Sequence, residues 1–160
     1  MRRIAVVLLL ATCACGPARG SLSAKDEVRR AVFEKGLDLL RESGMDGPRP
    51  VCLATRVEAR GRGFRVEDPS PALVRALHGA HPLMRQASEC TFTDDRAVRG
   101  AFGLPAALMW VDTVSVVPGI CASARVGYYV EPLYGADFRC GLRLRERQWR
   151  VSGCVLQSVS

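Results

Sequence analysis

Cysteine is the residue type in this sequence with the most kinds of possible chemistry, because a thiol can form a disulfide, bind a metal or act as a nucleophile. The chain contains seven cysteines. Two of them, Cys13 and Cys15, follow an apolar N-terminal run. The other five are spread through the rest of the chain, at Cys52, Cys90, Cys121, Cys140 and Cys154. These five form no Cys-x-x-Cys pair and no Cys/His pair at zinc spacing, so the sequence predicts disulfides and no structural zinc.

The other titratable residues form no catalytic constellation. The only histidines, His78 and His81, lie at the end of a predicted helix and in the following loop, where an imidazole interacts favourably with the helix dipole. The adjacent acids Asp94 and Asp95 lack the further spaced oxygens that a bound cation needs. Neither a Gly-x-Ser-x-Gly motif nor a glycine-rich phosphate loop of the right form occurs. We therefore predict no catalytic residue, no metal and no cofactor.

Arginine provides most of the positive charge. The chain has 23 basic and 16 acidic residues, for a formal net charge of +7. Acids and bases mix along most of the chain and aromatics are not interleaved with basic clusters, so we expect no nucleic-acid partner. The densest basic cluster lies near the C terminus, at Arg139, Arg143, Arg145, Arg147 and Arg150. If exposed, it could contact anionic lipid, peptidoglycan or polysaccharide. Alternatively, it keeps a sheet face soluble and protects it from edge pairing.

The N terminus has the layout of a signal peptide. Arg2 and Arg3 precede an apolar run from Ile4 to Ala11, and small residues follow. A run of eight apolar residues is too short to span a bilayer, which needs about 20. We therefore expect residues 1–12 to be a removable export signal and not a stable transmembrane helix.

The residues after this run resemble the cleavage site of a bacterial lipoprotein signal. In such signals a cysteine after a Leu-Ala-small triplet is lipidated and becomes the mature N terminus. Leu10-Ala11-Thr12-Cys13 is the nearest match, with Thr12 where the family prefers Gly, Ala or Ser, and Cys15 is the alternative lipidation site. The resemblance implies a lipidated N terminus and tether over residues 13–22. It also implies an exported protein anchored to a membrane of the bacterial cell envelope, on the periplasmic or the outer face.

Two helices are predicted from capping signals and apolar spacing. Ser23 begins the first helix and Gly44 ends it. The apolar residues of this helix share one arc at about 100° per residue. They are Val28, Val32, Phe33, Leu37, Leu39 and Leu40. Ser70 as N-cap and Pro71 at the first helical position begin a second helix, which ends at Gly79.

Strand patterns occupy much of the remaining chain. Residues 51–57 alternate as a strand, residues 83–90 form a second candidate strand, and residues 91–105 are predicted to be a loop. The last third divides into four strand-length runs separated by hairpin signals. These runs are residues 107–117, 120–130, 137–145 and 148–159.

The four runs predict a sheet with one apolar face and one arginine-rich face. Pro118-Gly119 supplies a two-residue turn, so that Val117 faces Ile120 and Asp112 faces Arg125. The opposite-charge pair supports this register. The apolar face needs a cover, which the first helix can supply. We therefore predict an α+β fold, with an N-terminal amphipathic helix packed on a curved antiparallel sheet that ends in a four-strand meander, as a single domain over residues 23–160.

The predicted register also bears on the cysteines. Matching the apolar faces of the last two runs puts three residues of the final run on the inner side, namely Trp149, Val151 and Val155. Cys140 and Cys154 then lie on opposite sides of the sheet, with Cys121 several residues away, so these three should not bridge one another. Cys52 and Cys90 are the preferred pair, although parallel strands in simple register would hold them too far apart. An odd count leaves a thiol free, or bonded to the second N-terminal cysteine or to a partner.

The layout of a first helix, a final meander and Trp149 opening the last strand resembles the nuclear-transport-factor-like and cystatin-like folds over roughly residues 23–160. Several short segments also resemble a pattern in small exported bacterial lipoproteins. They are Val51-Cys52-Leu53-Ala54, Asp68-Pro69-Ser70-Pro71-Ala72-Leu73, Ala87-Ser88-Glu89-Cys90, Gly127-Tyr128-Tyr129 and Gln148-Trp149-Arg150-Val151. The first resemblance implies a cone-shaped α+β domain, and the second implies no functional residue.

These features predict an exported, lipid-anchored cell-envelope protein with a non-catalytic binding or structural role. Its expected partners are the membrane, through the lipid, and an envelope protein or an anionic envelope polymer. The alternative is a small enzyme or ligand-binding protein with a pocket between helix and sheet, using Asp112 or His81.

Overall fold

A computed structural model of the chain describes residues 22–44, 49–60, 63–79, 81–93, 97–131 and 134–159. The predicted signal and both lipidation candidates, Cys13 and Cys15, lie outside the described residues, as do Asp94 and Asp95.

Both helices begin at the predicted caps. Helix α1 spans Ala24–Glu42, and the backbone N–H of Asp26 donates to Ser23 Oγ over 3.1 Å. Gly44 follows its C terminus at φ +79°, a conformation that glycine adopts without steric cost. Helix α2 spans Pro71–His78, and its cap Ser70 accepts from the backbone N–H of Leu73 over 3.2 Å.

One carboxylate joins the starts of the two helices. Asp26 is only 9% exposed, and its Oδ2 accepts a hydrogen bond of 2.9 Å from Ser70 Oγ. Its Oδ1 lies 3.1 Å from Arg29 Nη1, which balances the buried charge. Ser70 thus caps α2 and satisfies Asp26 at the same time.

Replacing Ser70 by alanine should therefore lower the free energy of unfolding by about 1–2 kcal/mol, since both the cap and a hydrogen bond to a buried carboxylate disappear. Urea denaturation followed by circular dichroism measures the change. Ser88→Ala is the matched control, because Ser88 is exposed and uses its backbone N–H, which alanine retains, to bind Asp68. Equal stabilities of the two variants would contradict the role assigned to Ser70.

The strands fall into one large and two small sheets in the part of the chain that the structure describes. Their bounds are β1 Val51–Ala54, β2 Arg56–Arg60, β3 Gly63–Glu67, β4 Met84–Gln86, β5 Thr91–Phe92, β6 Val98–Arg99, β7 Ala107–Val117, β8 Cys121–Glu131, β9 Tyr134–Arg145 and β10 Gln148–Val159. The six-stranded sheet has the order β10-β9-β8-β7-β1-β4. The hairpins β2–β3 and β5–β6 form two separate two-stranded sheets. The α+β class is confirmed.

The expectation of an antiparallel sheet is wrong in one half. Strand β1 pairs in parallel with both β4 and β7, so the large sheet is mixed. Parallel pairing needs a long crossover, and the segment with the β2–β3 hairpin and α2 supplies it between β1 and β4. All four residues of β1 are buried, as is typical of a strand covered on both faces. The strand predicted at residues 83–90 ends at Gln86 and continues as a 3-10 helix, Ala87–Glu89.

The large sheet has an inner face, turned toward α1, and an outer face on the opposite side. The inner face carries Met109, Val126 and Leu142, which form one apolar cluster with Val32 and Phe33 of α1. The outer face carries a second cluster at its β1 and β7 end, where the β2–β3 hairpin packs. Farther along β8 and β9, the outer face carries exposed charged side chains such as Arg125 and Arg139, and on β10 it also carries the exposed Val155.

The turn between β7 and β8 is one residue longer than predicted. Val117 pairs with Cys121 and not with Ile120. Asp112 nevertheless pairs with Arg125, because an irregularity between Asp112 and Ser115 absorbs the extra residue.

A similar bulge in β10 overturns the expectation that Cys140 and Cys154 cannot bridge. The register shifts between Val151 and Gly153, so that one extra residue stands in β10. Side chains alternate with period two along a strand, and one inserted residue therefore moves every later residue to the other face. Cys154 consequently lies directly opposite Cys140, and Val155, predicted to face inward, is 66% exposed.

Candidate functional site

Two disulfides join cysteines within the described residues. Cys52 and Cys90 have their sulfur atoms 1.99 Å apart, and Cys140 and Cys154 have theirs 2.02 Å apart. Cys90 reaches Cys52 because the 3-10 helix after β4 turns the chain out of the parallel register, which leaves the two Cα atoms 6.3 Å apart. Cys121 is an exposed free thiol at the start of β8. These disulfides indicate an oxidising, non-cytoplasmic compartment.

The arginines near the C terminus are exposed on or beside the outer face of the sheet. Arg139 stands directly opposite Arg125 on β8, and we call this pair the first arginine row. Arg143 stands directly opposite Arg150 on β10, and we call this pair the second arginine row. The other two predicted residues, Arg145 and Arg147, are exposed at the β9–β10 hairpin end, and Arg145 shares the outer face with Arg143, two residues before it.

Small residues separate the two arginine rows. Across the four strands, Ser115 pairs with Ser123, Ser123 with Gly141, and Gly141 with Gly153. A cleft of about 360 Å³ opens beside this line of small side chains. Its lining residues are Thr113, Ser123, Ala124, Arg125, Arg139 and Gln157.

Arg125 is held in a fixed orientation by Asp137. Its Nε and Nη2 lie 3.2 Å and 2.8 Å from the two carboxylate oxygens, and Ser158 Oγ donates to Asp137 over 3.2 Å. The hydrogen bond that Arg125 donates to the Asp137 carboxylate raises the pKa of Arg125, outweighing the burial that lowers it. The sequence predicted that Arg125 would face Asp112; the two residues share a register position, but the ion pair in the described part is with Asp137.

A glycine makes room for this ion pair. At Gly127 an added Cβ would lie 2.6 Å from Asp137 Oδ1 and would overlap the ring of Trp110. The side chains of Trp110 and Asp137 therefore close over β8 from both sides. Asp137 is only 16% exposed as a result, whereas Arg125 remains 49% exposed toward the cleft.

Arg139 differs from Arg125 in having no ion-pair or hydrogen-bond partner among the described residues. Asp137, two residues before Arg139 on β9, already accepts hydrogen bonds from Arg125 and Ser158. The guanidinium of Arg139 therefore provides uncompensated positive charge at the cleft.

The sequence predicted Arg139 but not the rest of the cleft. Thr113, Ser123 and Gln157 carry no motif, and they meet only because four strands stand side by side. Thr113 lies in the irregularity of β7 at φ 49°, a conformation that is rare for a β-branched residue. No pattern in the sequence predicts that a threonine adopts this backbone conformation.

The residues named for a pocket between helix and sheet are not brought together there. Asp112 is half-buried on the outer face and accepts a hydrogen bond of 2.9 Å from Thr113 Oγ1. His81 follows α2, and its Nδ1 lies 3.4 Å from Arg41 Nη2 near the end of α1. Between α1 and the sheet, Val32 and Phe33 are fully buried.

His81 should give a small pH dependence of stability. Burial, and then the charge of Arg41, lower the pKa of His81 below its ordinary value of 6.5. The unfolded chain consequently binds the proton more tightly than the folded protein, so stability falls as the pH drops through 6.5 toward the lower folded pKa. Thermal midpoints of His81→Gln should depend less on pH over that window than those of the wild type. A pH dependence in His81→Gln equal to that of the wild type would contradict the role assigned to His81.

No family model, no curated protein and no solved structure matches this chain significantly. The resemblance to cone-shaped folds and to exported lipoproteins therefore stays a prediction. Neither helix in the described residues is long and apolar enough to cross a membrane. Within the same residues, no group of three or more His, Cys, Asp or Glu side chains is placed to hold a metal ion.

Proposed function

We propose that this protein is an exported, lipid-anchored component of the cell envelope that binds anionic envelope material through the outer face of its sheet. The two disulfides in the described part support export, because such bonds persist in oxidising compartments. The signal-like residues 1–12 and the lipidation candidates Cys13 and Cys15 support the anchor. The scaffold that we propose for this role is the α1 helix packed on a curved sheet, and this sheet ends in a meander.

The pairing of like charges is the observation that carries the binding role. Arg143 opposes Arg150, and Arg139 opposes Arg125, whose own charge Asp137 balances, on adjacent strands of an exposed face. Like charges directly opposite each other destabilise a sheet. Charge for solubility alone could be spread over the surface without this cost. Two such rows side by side fit a surface that is completed by an anionic partner.

The packing of the inner layer favours this role over an enzyme with a pocket between helix and sheet. At Gly36 in α1, an added Cβ would lie 3.0 Å from both Met109 Sδ and Val126 Cγ2. The helix therefore approaches the sheet more closely than most side chains permit. Apolar atoms, and not a polar cavity, fill this layer in the described residues.

The anchor is tested by replacing Cys13 and Cys15 with serine and fractionating the cells. We expect the wild type in the membrane fraction and the double variant in the soluble fraction. Single variants identify the lipidated cysteine. Membrane partitioning that is unchanged in the double variant would contradict lipid anchoring.

The binding role is tested by retention of the full-length protein on dextran sulfate beads, with neutral dextran beads as the reference. Each arginine near an acidic surface contributes about 1 kcal/mol, so Arg143→Gln with Arg150→Gln should elute at markedly lower salt. The matched control is Lys25→Gln with Arg75→Gln, which removes the same charge from exposed helix positions. Equal elution of the two double variants would show that only net charge matters and would refute a dedicated face.

A further inference from the structure

We propose that the cleft between the arginine rows is a binding site for a phosphate group, carried either by a small soluble phosphate ester or by a phospholipid headgroup. This inference rests on the proposed binding role and locates it at defined atoms. The residues that carry it are Arg125, Arg139 and Ser123.

The size of the cleft suits a small ligand. Pockets for small molecules typically enclose about 300–1,000 Å³, and this cleft encloses about 360 Å³. That volume accommodates a phosphate with a short organic substituent. It lies on the open outer face, so a headgroup at a membrane surface can reach it as readily as a free ester.

The donors in the cleft favour phosphate over carboxylate. Arg139 from β9 and Arg125 from β8 present guanidinium N–H groups, and Ser123 adds a hydroxyl from β8. Guanidinium forks match the oxygen spacing of phosphates and carboxylates alike. A phosphate, however, offers more acceptor oxygens than the two of a carboxylate. It can therefore engage two guanidinium groups and a hydroxyl at once.

Two residues shape the cleft without supplying donors to the ligand. Thr113 already donates its hydroxyl to Asp112 Oδ1 over 2.9 Å. The Gln157 amide nitrogen lies 3.3 Å and 3.4 Å from the carbonyl oxygens of Val155 and Leu156. Both side chains thus form walls, and the bulges in β7 and β10 place these walls at opposite sides of the arginines.

The site is organised before a ligand arrives. Asp137 holds Nε and Nη2 of Arg125 and neutralises that charge, while Nη1 of Arg125 remains available to a ligand. A side chain that is already fixed loses less conformational entropy on binding. Arg139 provides the positive charge without a counter-ion, so the phosphate completes an ion pair that the folded chain leaves open.

Acidic groups near the cleft limit its affinity but do not cancel its charge. Asp137 is engaged with Arg125, and Asp112 stands at the register position beside Arg125, with its Oδ1 on the Thr113 hydroxyl. The second arginine row, Arg143 and Arg150, adds positive charge on the other side of the small residues. A singly or doubly charged phosphate is therefore attracted.

Isothermal titration calorimetry on the full-length protein tests the site, with inorganic phosphate and glycerol phosphate as probes and acetate at matched ionic strength as the reference. We expect both phosphates to bind and acetate not to bind. Arg139→Gln should weaken phosphate binding at least tenfold, since a charge-assisted contact is lost. Arg75→Gln, which removes the same charge on α2, should bind as the wild type does. Thermal midpoints establish that both variants are folded.

The source of the phosphate is resolved with vesicles, using the full-length protein in the Cys13→Ser, Cys15→Ser background to remove any effect of the lipid. Binding to phosphatidylglycerol vesicles that free glycerol phosphate displaces assigns the site to a headgroup. Binding of glycerol phosphate without vesicle binding assigns it to a soluble ester. Equal binding of acetate, or an Arg139→Gln variant with unchanged affinity, overturns the phosphate site. If dextran sulfate retention persists in that case, the binding role stands without this site; if it is lost too, both proposals fail.

Discussion

Removing the Cys52–Cys90 disulfide should lower the free energy of unfolding by about 4 kcal/mol, the value expected for a loop of 38 residues. The cross-link restricts the unfolded chain, because it ties the buried strand β1 to the segment after β4. Cys52 itself is fully buried beside Ala54 and Leu108, so the alanine pair also loses packing contacts. Urea denaturation of Cys52→Ala with Cys90→Ala, followed by circular dichroism, measures the difference from the wild type.

The chain offers two comparisons for this prediction. Cys140→Ala with Cys154→Ala opens a loop of only 14 residues, and we expect a smaller loss of about 3 kcal/mol. Cys121→Ala changes an exposed free thiol and should cost almost nothing. The prediction is wrong if the Cys52/Cys90 variant is as stable as Cys121→Ala.

A loss of this size bears on where the protein can function. Single domains are stable by about 5–15 kcal/mol, so two disulfides in the described residues account for a large share of that margin. A reducing compartment would therefore leave the domain marginal. This dependence agrees with the proposed export and gives a second way to test it, through the stability of the reduced protein.

The helices were the part of the fold most accessible to prediction, because their signals are local. Ser23 and Ser70 cap their helices through the backbone N–H groups three residues on, which sequence spacing alone specifies. The apolar arc of α1 likewise predicts its buried face. The four C-terminal strands follow from alternation and turns, although their ends shift by up to three residues.

The Asp112–Arg125 register was predicted correctly, but the register beyond a bulge could not be, because one extra residue moves every later side chain to the other face of the sheet. The bulge after Val151 places Cys154 opposite Cys140, and without it the same sequence would hold the two cysteines apart. The parallel position of β1 was equally hidden, since a buried strand of four residues shows no direction. The long crossover through α2 becomes visible only in the folded chain.

The candidate site was predictable only in its charge. Arg139 and its neighbours stand out in the sequence as a basic cluster, and they are exposed, as both interpretations of the cluster required. Arg125 was assigned to Asp112, whereas its ion pair is with Asp137. Ser123 joins the site through cross-strand register alone. A binding site built across four strands has no linear motif.

The other substitution with a large expected effect on stability lies in the inner layer, at Phe33 of α1. This side chain is fully buried in the core against the sheet. Phe33→Ala should lower the free energy of unfolding by about 3–5 kcal/mol, because the variant loses the transfer of an aromatic ring and leaves a cavity. Phe102→Ala is the matched control: the same substitution at a side chain that is 99% exposed should change stability by less than about 0.5 kcal/mol. Urea denaturation of both variants makes the comparison.

This comparison also discriminates between the proposed binding role and a pocket between helix and sheet. A ring that lines a solvated pocket is already in contact with water, so its removal would cost little and would enlarge the pocket. A ring in a filled layer has apolar neighbours such as Met109 and Val126, which cannot collapse fully around alanine. A large loss for Phe33→Ala that leaves retention on dextran sulfate intact would place binding on the outer face. A loss similar to that of Phe102→Ala would reopen the pocket and weaken the argument for the arginine rows.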